Sequence, residues 1–499
     1  MNLASQWLAR GVSKLRTTES TAASAKAPAP AAANAPVPAA AKAVAPRTTH
    51  ARLKATLRRG EEVLAPRVLR RLMEDLQAAS AAQVSEIEGG RRARDVIDWY
   101  KTASVPERQD LWSLLCEQFG PDAQGLQRAR QRYDEATSEE DRGQAEIALR
   151  RALTSARTRL LQRFAVPAGG MRFLLDLRAE LLALPKSDKR FVALDAELEH
   201  LFSTWFDVAF LELQRLSWDS PASLLEKLIQ YEAVHDIRSW ADLKNRLDSD
   251  RRCYGFFHPR LPGEPLIFVE VALVDSLSDS ITPLLDESAA TADISRASTA
   301  IFYSISSTQT GLRGVSFGDS LIKHVAQTLG AEFPRLRTFA TLSPIPGLRA
   351  WLAKNGTALL AKMEDKQRGE LARALGLGPK EPLEASALLA AAEQPAQLPA
   401  QLPAQSPVRR ALLWCAAHYL GKESHNGRPL DPVARFHLGN GARVERLNWA
   451  GDPSVKGAKQ SFGLMVNYLY DLKKIDKHRD LLAQGRMPVS RDIESLMKG

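Results

Sequence analysis

The sequence predicts an α+β multidomain protein: an N-terminal all-α helical bundle followed by an α/β domain with a mixed sheet. Three observations predict it. Between residues 60 and 205, apolar side chains recur at spacings of three and four, without strand-like alternation. After residue 206, short β-branched runs appear between helical stretches. The 499 residues, 44% apolar and 25% charged, suffice for about two or three domains with real cores.

Residues 1–55 are rich in Ala, Pro, Ser and Thr, with APAPAAANAPVPAAAKAVAP at their centre. Such a composition cannot bury enough apolar surface to fold, so a disordered tail is expected. Its start, MNLASQWLARGVSKLR, has the pattern of a basic amphipathic helix. Basic, Ser-rich and acid-poor also describes a mitochondrial transit peptide. The same Ala/Pro bias recurs in other linkers, which favours a cytoplasmic bacterial protein. The mitochondrial matrix is the alternative.

The net charge of +10 sits almost wholly in that tail. Ten Lys or Arg and one acid, Glu19, fall within residues 1–60 (+9), leaving +1 for the rest. A near-neutral body lacks a nucleic-acid footprint, so no nucleic-acid partner is expected. The richest apolar run, Pro265 to Leu273 (PLIFVEVAL), is too short for a membrane span and is interrupted by Glu270. It reads as a buried strand. Cys116, Cys253 and Cys415 lie far apart, with no C-x-x-C pair. Three buried thiols in a reducing compartment are expected.

The helical domain is placed at 56–205. VLRRLMEDLQAAS, RRARDVIDWYKTA, RQDLWSLLCEQFG and MRFLLDLRAELLAL carry its amphipathic pattern, and Pro106, Pro121, Pro167 and Pro185 punctuate it. It holds no glycine loop and no His or Cys cluster, so packing, oligomerisation or a lid role is expected. The α/β domain is placed at 206–499. SPASLLEKLIQYEAVH and SWADLKNRL read as helices; Leu266–Leu273, Ala300–Ser306, Thr338–Leu342 and Arg443–Trp449 read as strands. Ser320–Leu329 reads as a helix between strands. Residues 350–420 are helical again, with a Pro/Gln-rich surface loop at 394–407.

GLRGVSFGDSLIKHV contains Gly314-Val315-Ser316-Phe317-Gly318, a literal G-x-S-x-G. A nucleophile elbow needs its serine directly between strand and helix. Here the strand ends near Ser306 and STQTGLR intervenes, so Ser316 is a poor nucleophile candidate. The same residues suit an anion. Gly311, Gly314 and Gly318 let backbone N–H groups approach a ligand, and the following helix start favours negative charge. A pyrophosphate fits, with Arg313 or Lys323 beside it. The spacing departs from G-x-G-x-x-G, and no acidic ribose partner follows in a second βαβ unit, which disfavours a dinucleotide. A loop of this kind resembles the coenzyme A loop of the GNAT acyltransferases.

Two further polar groupings stand out. In TLSPIPG, Pro344 restricts Ser343 to an extended backbone and so fixes its hydroxyl. The other use of Ser343 is to cap the helix GLRAWLAK. In RFHLGNGA, His437 alternates with apolar neighbours before an Asn-Gly turn. A lone histidine also serves as a structural residue. Cys415, His418 and His425 lack a fourth ligand at the usual spacing, so no metal is expected.

HPRLPGEPL, IFYSISSTQTGLRGVSFGDSLIKHV, TLSPIPGLRAWL, PVARFHLGNGA and SFGLMVNYLY occur in this order. Together they closely resemble the malonyl-CoA decarboxylase family over most of residues 200–470. The resemblance implies a GNAT-like α/β catalytic domain after the helical bundle and a role in fatty acid metabolism. It implies a catalytic pair, Ser343 and His437, with Ser304, Tyr470 and Asn440 as supporting polar positions. Gln309, Gly311, Arg313, Gly314, Val315, Ser316, Phe317, Gly318 and Asp319 would form the coenzyme A loop. Animal relatives carry glutamate at the position of Ser316, so a carboxylate there is not essential in this chain. The partners implied are malonyl-CoA and acetyl-CoA, no membrane, and a homo-oligomer, a tetramer in the family. No cofactor is implied beyond the substrate thioester, which is itself the electron sink.

Decarboxylating a malonyl thioester leaves an enolate. Two or three donors preorganised at its oxygen would each contribute about 3 kcal/mol. His437 would donate to that oxygen or protonate the carbanion. Ser343 would orient the departing carboxylate or accept a proton. Three rival readings remain open: a GNAT-type acyltransferase, a hydrolase using Ser316, and a non-catalytic coenzyme A-binding scaffold.

Overall fold

The computed structural model describes residues 64–81, 83–185, 188–315, 321–378, 381–393 and 402–498. The Ala/Pro-rich tail, residues 394–401 of the Pro/Gln loop, and Ser316, Phe317, Gly318 and Asp319 lie outside the described residues.

The first part is helical: α1 (Pro66–Ser80), α2 (Glu86–Thr102), α3 (Val105–Gln118), α4 (Ala123–Glu135), α5 (Glu139–Leu153), α6 (Ala156–Ala165), α7 (Gly170–Leu182) and α8 (Val192–Trp205). Side-chain caps start several of them. Ser85, Asp122, Ser138 and Ser155 each accept a backbone N–H from the first turn. Leu114, Leu115, Leu160, Phe164, Leu174 and Phe202 are fully buried between them. Tyr100 meets Phe173 edge-on at 5.1 Å. The α4–α5 hairpin is different: Ala145 is its one buried residue among those described.

The second part opens with β1 (Glu212–Leu216), α9 (Ala222–Tyr231), α10 (Trp240–Arg246), β2 (Arg251–Phe257), β3 (Pro265–Val274), α11 (Thr282–Leu285) and β4 (Thr299–Ser307). A 3-10 turn (Thr310–Leu312), α12 (Leu321–Glu332), β5 (Thr338–Thr341) and β6 (Ser343–Pro344) follow. Then come α13 (Leu348–Leu360), α14 (Asp365–Ala374), α15 (Ala385–Glu393), α16 (Pro407–Lys422), β7 (Ser424–His425), β8 (Arg428–Pro429) and α17 (Pro432–Gly439). The chain closes with β9 (Arg443–Asn448), α18 (Val455–Ser461), β10 (Met465–Leu469), α19 (Ile475–Ala483) and α20 (Arg491–Lys498).

The main sheet runs β1-β2-β3-β4-β5-β10-β6, with β9 also on β10. Its pairs are antiparallel except β4–β5, which are parallel and joined through α12. The sheet is therefore mixed, as the sequence predicts. A parallel pair needs a crossover, and helix α12 supplies it. The predicted strands appear within a residue or so of their expected ends. β1, β2 and β10 were not anticipated.

The parallel pair is short. Thr299 to Phe302 pair with Thr338 to Thr341, and there β5 stops while β4 runs on to Ser307. The two strands part at their C-terminal ends, the usual place for a ligand in such a unit.

The thiol expectation holds in two of three positions. Cys253 and Cys415 are buried, whereas Cys116 is only partly so. His418 Nε2 meets the Met497 carbonyl at 3.1 Å within the α16–α20 contact.

Candidate active site

A cleft of about 890 Å3 opens where β4 and β5 separate, within the usual size of a ligand site. Phe302, Ile305, Gln309, Arg313, Ser343, Phe436, His437 and Asn440 are among the residues lining it.

Ser343 gets there through a step in the sheet. β5 and β6 both pair with β10, on either side of Leu342. The Leu342 N–H extends the parallel ladder by donating to the Phe302 carbonyl at 3.0 Å. Beyond the step, the β9–β10 register shifts between Asn467 and Tyr468, with Glu445 of β9 as the extra residue. Side chains of β5 and β10 satisfy the backbone groups around the step. Tyr468 N–H donates to Thr341 Oγ1 at 3.1 Å, and Asn467 Nδ2 donates to the Thr341 carbonyl at 2.8 Å. Ser343 then lies extended, as Pro344 requires. It does not cap α13, whose N-cap is Gly347.

His437 comes from α17. Phe436 and Leu438 flank it at a spacing that suits an extended segment, yet the structure makes a helix. Asp431 explains this: its carboxylate accepts the N–H groups of Val433 and Ala434 at 2.9 and 3.0 Å, and Pro432 starts the helix. The His437 ring lies on Tyr468, centroids 4.6 Å apart and planes at 26°.

The two side chains meet. His437 Nε2 is 3.2 Å from Ser343 Oγ, and His437 Nδ1 is 2.8 Å from the Tyr470 hydroxyl. Ser343 Oγ is also 2.8 Å from Thr341 Oγ1. Tyr470, His437, Ser343 and Thr341 thus form one continuous hydrogen-bonded chain. Burial holds the His437 pKa down at about 3 and pushes the Tyr470 phenol up. At neutral pH both rings are uncharged, so the imidazole has one N–H and one lone pair. If Tyr470 donates to Nδ1, the N–H sits on Nε2, facing Ser343.

The other predicted residues divide. Asn440 lines the cleft, and its amide holds the Phe436 carbonyl at 2.7 Å at the end of α17. Gln309, Arg313, Gly314 and Val315 line the cleft beside the 3-10 turn. Gly311 lies one layer beneath, where a Cβ would fall 2.1 Å from the Leu175 carbonyl of α7. Gly314 adopts φ +83°, which favours glycine. Lys323 is exposed on α12 and does not line the cleft among the residues described.

Ser304 is not brought to the pair. A bulge at Tyr303 breaks the alternation of β4, so Ile305 and Ser307 join Phe302 in lining the cleft. Ser304 instead donates to the buried Glu232 carboxylate at 2.8 Å. The bulge is a backbone feature that strict alternation along FYSIS hides.

The residues that sequence reasoning missed are Thr341, Tyr468 and Asp431. Thr341 stands two positions before Ser343 in the same extended run. Asp-Pro ahead of an apolar stretch is a helix-start signal that would have placed His437 on α17. Arg428 and Arg435 also line the cleft.

The C-terminal domain family of malonyl-CoA decarboxylase matches residues 209–499, and the family's N-terminal domain matches 119–206. The chain belongs to the malonyl-CoA decarboxylase family. It is 38% identical over 400 residues to the mitochondrial malonyl-CoA decarboxylase of Anser anser anser, covering 77% of this chain and 78% of that one. With the enzyme of Rattus norvegicus it is 36% identical over 456 residues, covering 86% and 90%. The crystal structure of the malonyl-CoA decarboxylase from Agrobacterium vitis superposes with a TM-score of 0.74 at 39% identity, over 85% of this chain and 99% of that one. That from Rhodopseudomonas palustris gives 0.72 at 39% identity, over the same shares. These malonyl-CoA decarboxylases share both parts of the chain, the helical domain included. Among the described residues, no helix is long and apolar enough to cross a membrane.

Proposed function

We propose that this chain converts malonyl-CoA to acetyl-CoA and CO2, with Ser343 and His437 as the catalytic pair and no cofactor besides the substrate thioester. The 3.2 Å contact between them in the cleft, backed by Tyr470 at 2.8 Å, carries the reading.

The chemistry follows from the charge states. The C–C bond to the carboxylate breaks, its electron pair passes into the thioester carbonyl, and CO2 leaves. His437 is neutral at working pH, so it acts as an N–H donor to the developing enolate oxygen rather than as a cation. A preorganised donor in a dry site contributes about 3 kcal/mol to such a step. Ser343 holds the carboxylate out of the carbonyl plane. It then passes a proton to the carbanion and is re-protonated along the chain through His437. One proton is taken up per turnover, which balances the loss of CO2.

The far end of the substrate would lie along the glycine-rich loop, whose described residues run from Gln309 to Val315. Arg313, Arg428 and Arg435 line the same cleft and offset phosphate charge. The three arginines favour an anionic carrier over a simple ester, which separates this reading from a hydrolase using Ser316. CO2 release from malonyl-CoA without an acceptor, followed alongside acetyl-CoA formation, tests the reading. Acyl transfer to an added amine instead of CO2 release would favour the acyltransferase.

The chain is read as cytoplasmic in a bacterium, with the mitochondrial matrix as the alternative, and as a homo-oligomer, a tetramer on family grounds. The α4–α5 hairpin supports assembly: Ile147 and Leu153 are exposed on a two-helix arm with almost no core. Light scattering on the intact chain and on Ile147→Glu measures it.

A further inference from the structure

We propose that the helical domain forms a structural half of the thioester-binding site, with Arg178 of α7 as the positioning residue of the glycine-rich loop. This rests on the reading of that loop as the seat of the substrate pyrophosphate.

Three residues on one face of α7, spaced by three, grip the loop. Arg172 Nη1 donates to Gln309 Oε1 at 2.6 Å. The Leu175 carbonyl packs so closely on Gly311 that no Cβ fits there. Arg178 Nη1 donates to the carbonyls of Gly311 and Arg313 at 2.8 and 3.0 Å. Positions i, i+3 and i+6 lie along one side of a helix.

Arg178 is 1% exposed. A buried guanidinium must have its donors satisfied. Asp195 and Glu199 of α8 take Nε and Nη2 at 2.8 and 3.3 Å. The fork is therefore fixed by the helical domain on one side and spends its other arm on the loop. This has a directional consequence. A peptide plane points its C=O and N–H opposite ways. The Arg313 carbonyl faces Arg178, so the N–H of the same plane, that of Gly314, faces away from it. Gly314 lines the cleft, and among the described residues its N–H has no backbone partner. Leu312, Arg313 and Val315 spend theirs within the turn. Arg178 thus sets the direction of the Gly314 N–H, a cleft-side donor left for an anion.

The test separates the two ends of the substrate. Arg178→Met keeps the buried stem and removes the donors. Its kcat and KM are measured with malonyl-CoA and with malonyl-N-acetylcysteamine, which carries the same thioester without a pyrophosphate. The expected result is a KM for malonyl-CoA raised about tenfold, with kcat held and the truncated substrate unaffected. An equal KM change on both substrates, or a fall in kcat alone, overturns the proposal. Should Arg178→Met not fold, Arg172→Leu, on the half-exposed end of the same face, is expected to raise the malonyl-CoA KM about threefold, again sparing the truncated substrate. An unchanged KM in that variant overturns the proposal as well. If the unmodified chain itself binds both substrates equally well, the pyrophosphate reading of the loop fails, whatever Arg178 does.

Discussion

His437 Nε2 lies 3.2 Å from Ser343 Oγ, although 94 positions separate the two residues in the chain. Two irregularities create that contact: the step between β5 and β6, and the Asp431-capped start of α17. Neither residue carries charge at neutral pH. On the proposed mechanism the pair would place one N–H and one O–H in a dry cleft, where a developing oxyanion gains most from them.

Tyr470 bonds His437 Nδ1 at 2.8 Å; as the donor there it would keep the imidazole proton on Nε2. Tyr470→Phe frees the ring to take the other tautomer. We expect kcat to fall about tenfold, or about 1.4 kcal/mol of barrier, with acetyl-CoA affinity retained. Steady-state kinetics and calorimetry check this.

The pH dependence follows from burial. Unfolded, His437 takes a proton near its ordinary 6.5; folded, it resists down to about 3. His235 is also held down by burial, at about 4. Through that window the unfolded chain binds more protons than the folded one, so stability falls as pH drops below about 6.5. Melting temperature should therefore decline between pH 7 and 5. Over the same range kcat/KM should show no inflection from His437. An inflection near 6.5 that disappears in a His437 variant would mean the ring titrates in the folded enzyme.

Thr341 ties the step in the sheet to Ser343. Thr341→Val keeps the shape but leaves the buried Tyr468 N–H without its acceptor. The expected cost is about 1–3 kcal/mol of stability, together with a lower kcat from a less constrained Ser343. Denaturant titration and turnover numbers read the two effects separately.

Ser304 gives the opposite expectation. It donates to Glu232, which also accepts the N–H groups of Val234 and His235. Ser304→Ala should cost about 1 kcal/mol of stability while kcat per folded molecule holds. A large loss of kcat at unchanged stability would return Ser304 to the catalytic machinery.

Much of this was legible in the sequence. β3 and β4 were readable because both are buried, β-branched runs. β2 was not, because Arg251, Arg252, Cys253 and Gly255 interrupt its apolar signal. Both arginines are buried beside acids, Asp250 and Glu332, that lie outside the strand. Ser343 and His437 were legible as candidates by resemblance. Their contact was not, since it depends on a sheet register and a capped helix far apart in the chain. Ser304 was named by resemblance; the one-residue bulge at Tyr303 turns it to Glu232, away from the pair. The role of α7 was hidden for a related reason: Arg172, Leu175 and Arg178 read as ordinary amphipathic spacing until the loop they hold is in place.

The most direct measurement compares His437→Ala with the unmodified chain in CO2 release from malonyl-CoA and in acetyl-CoA binding. We expect turnover lowered by about 10²-fold or more, with acetyl-CoA binding within about threefold. Turnover at the unmodified rate in that variant would overturn the assignment of His437.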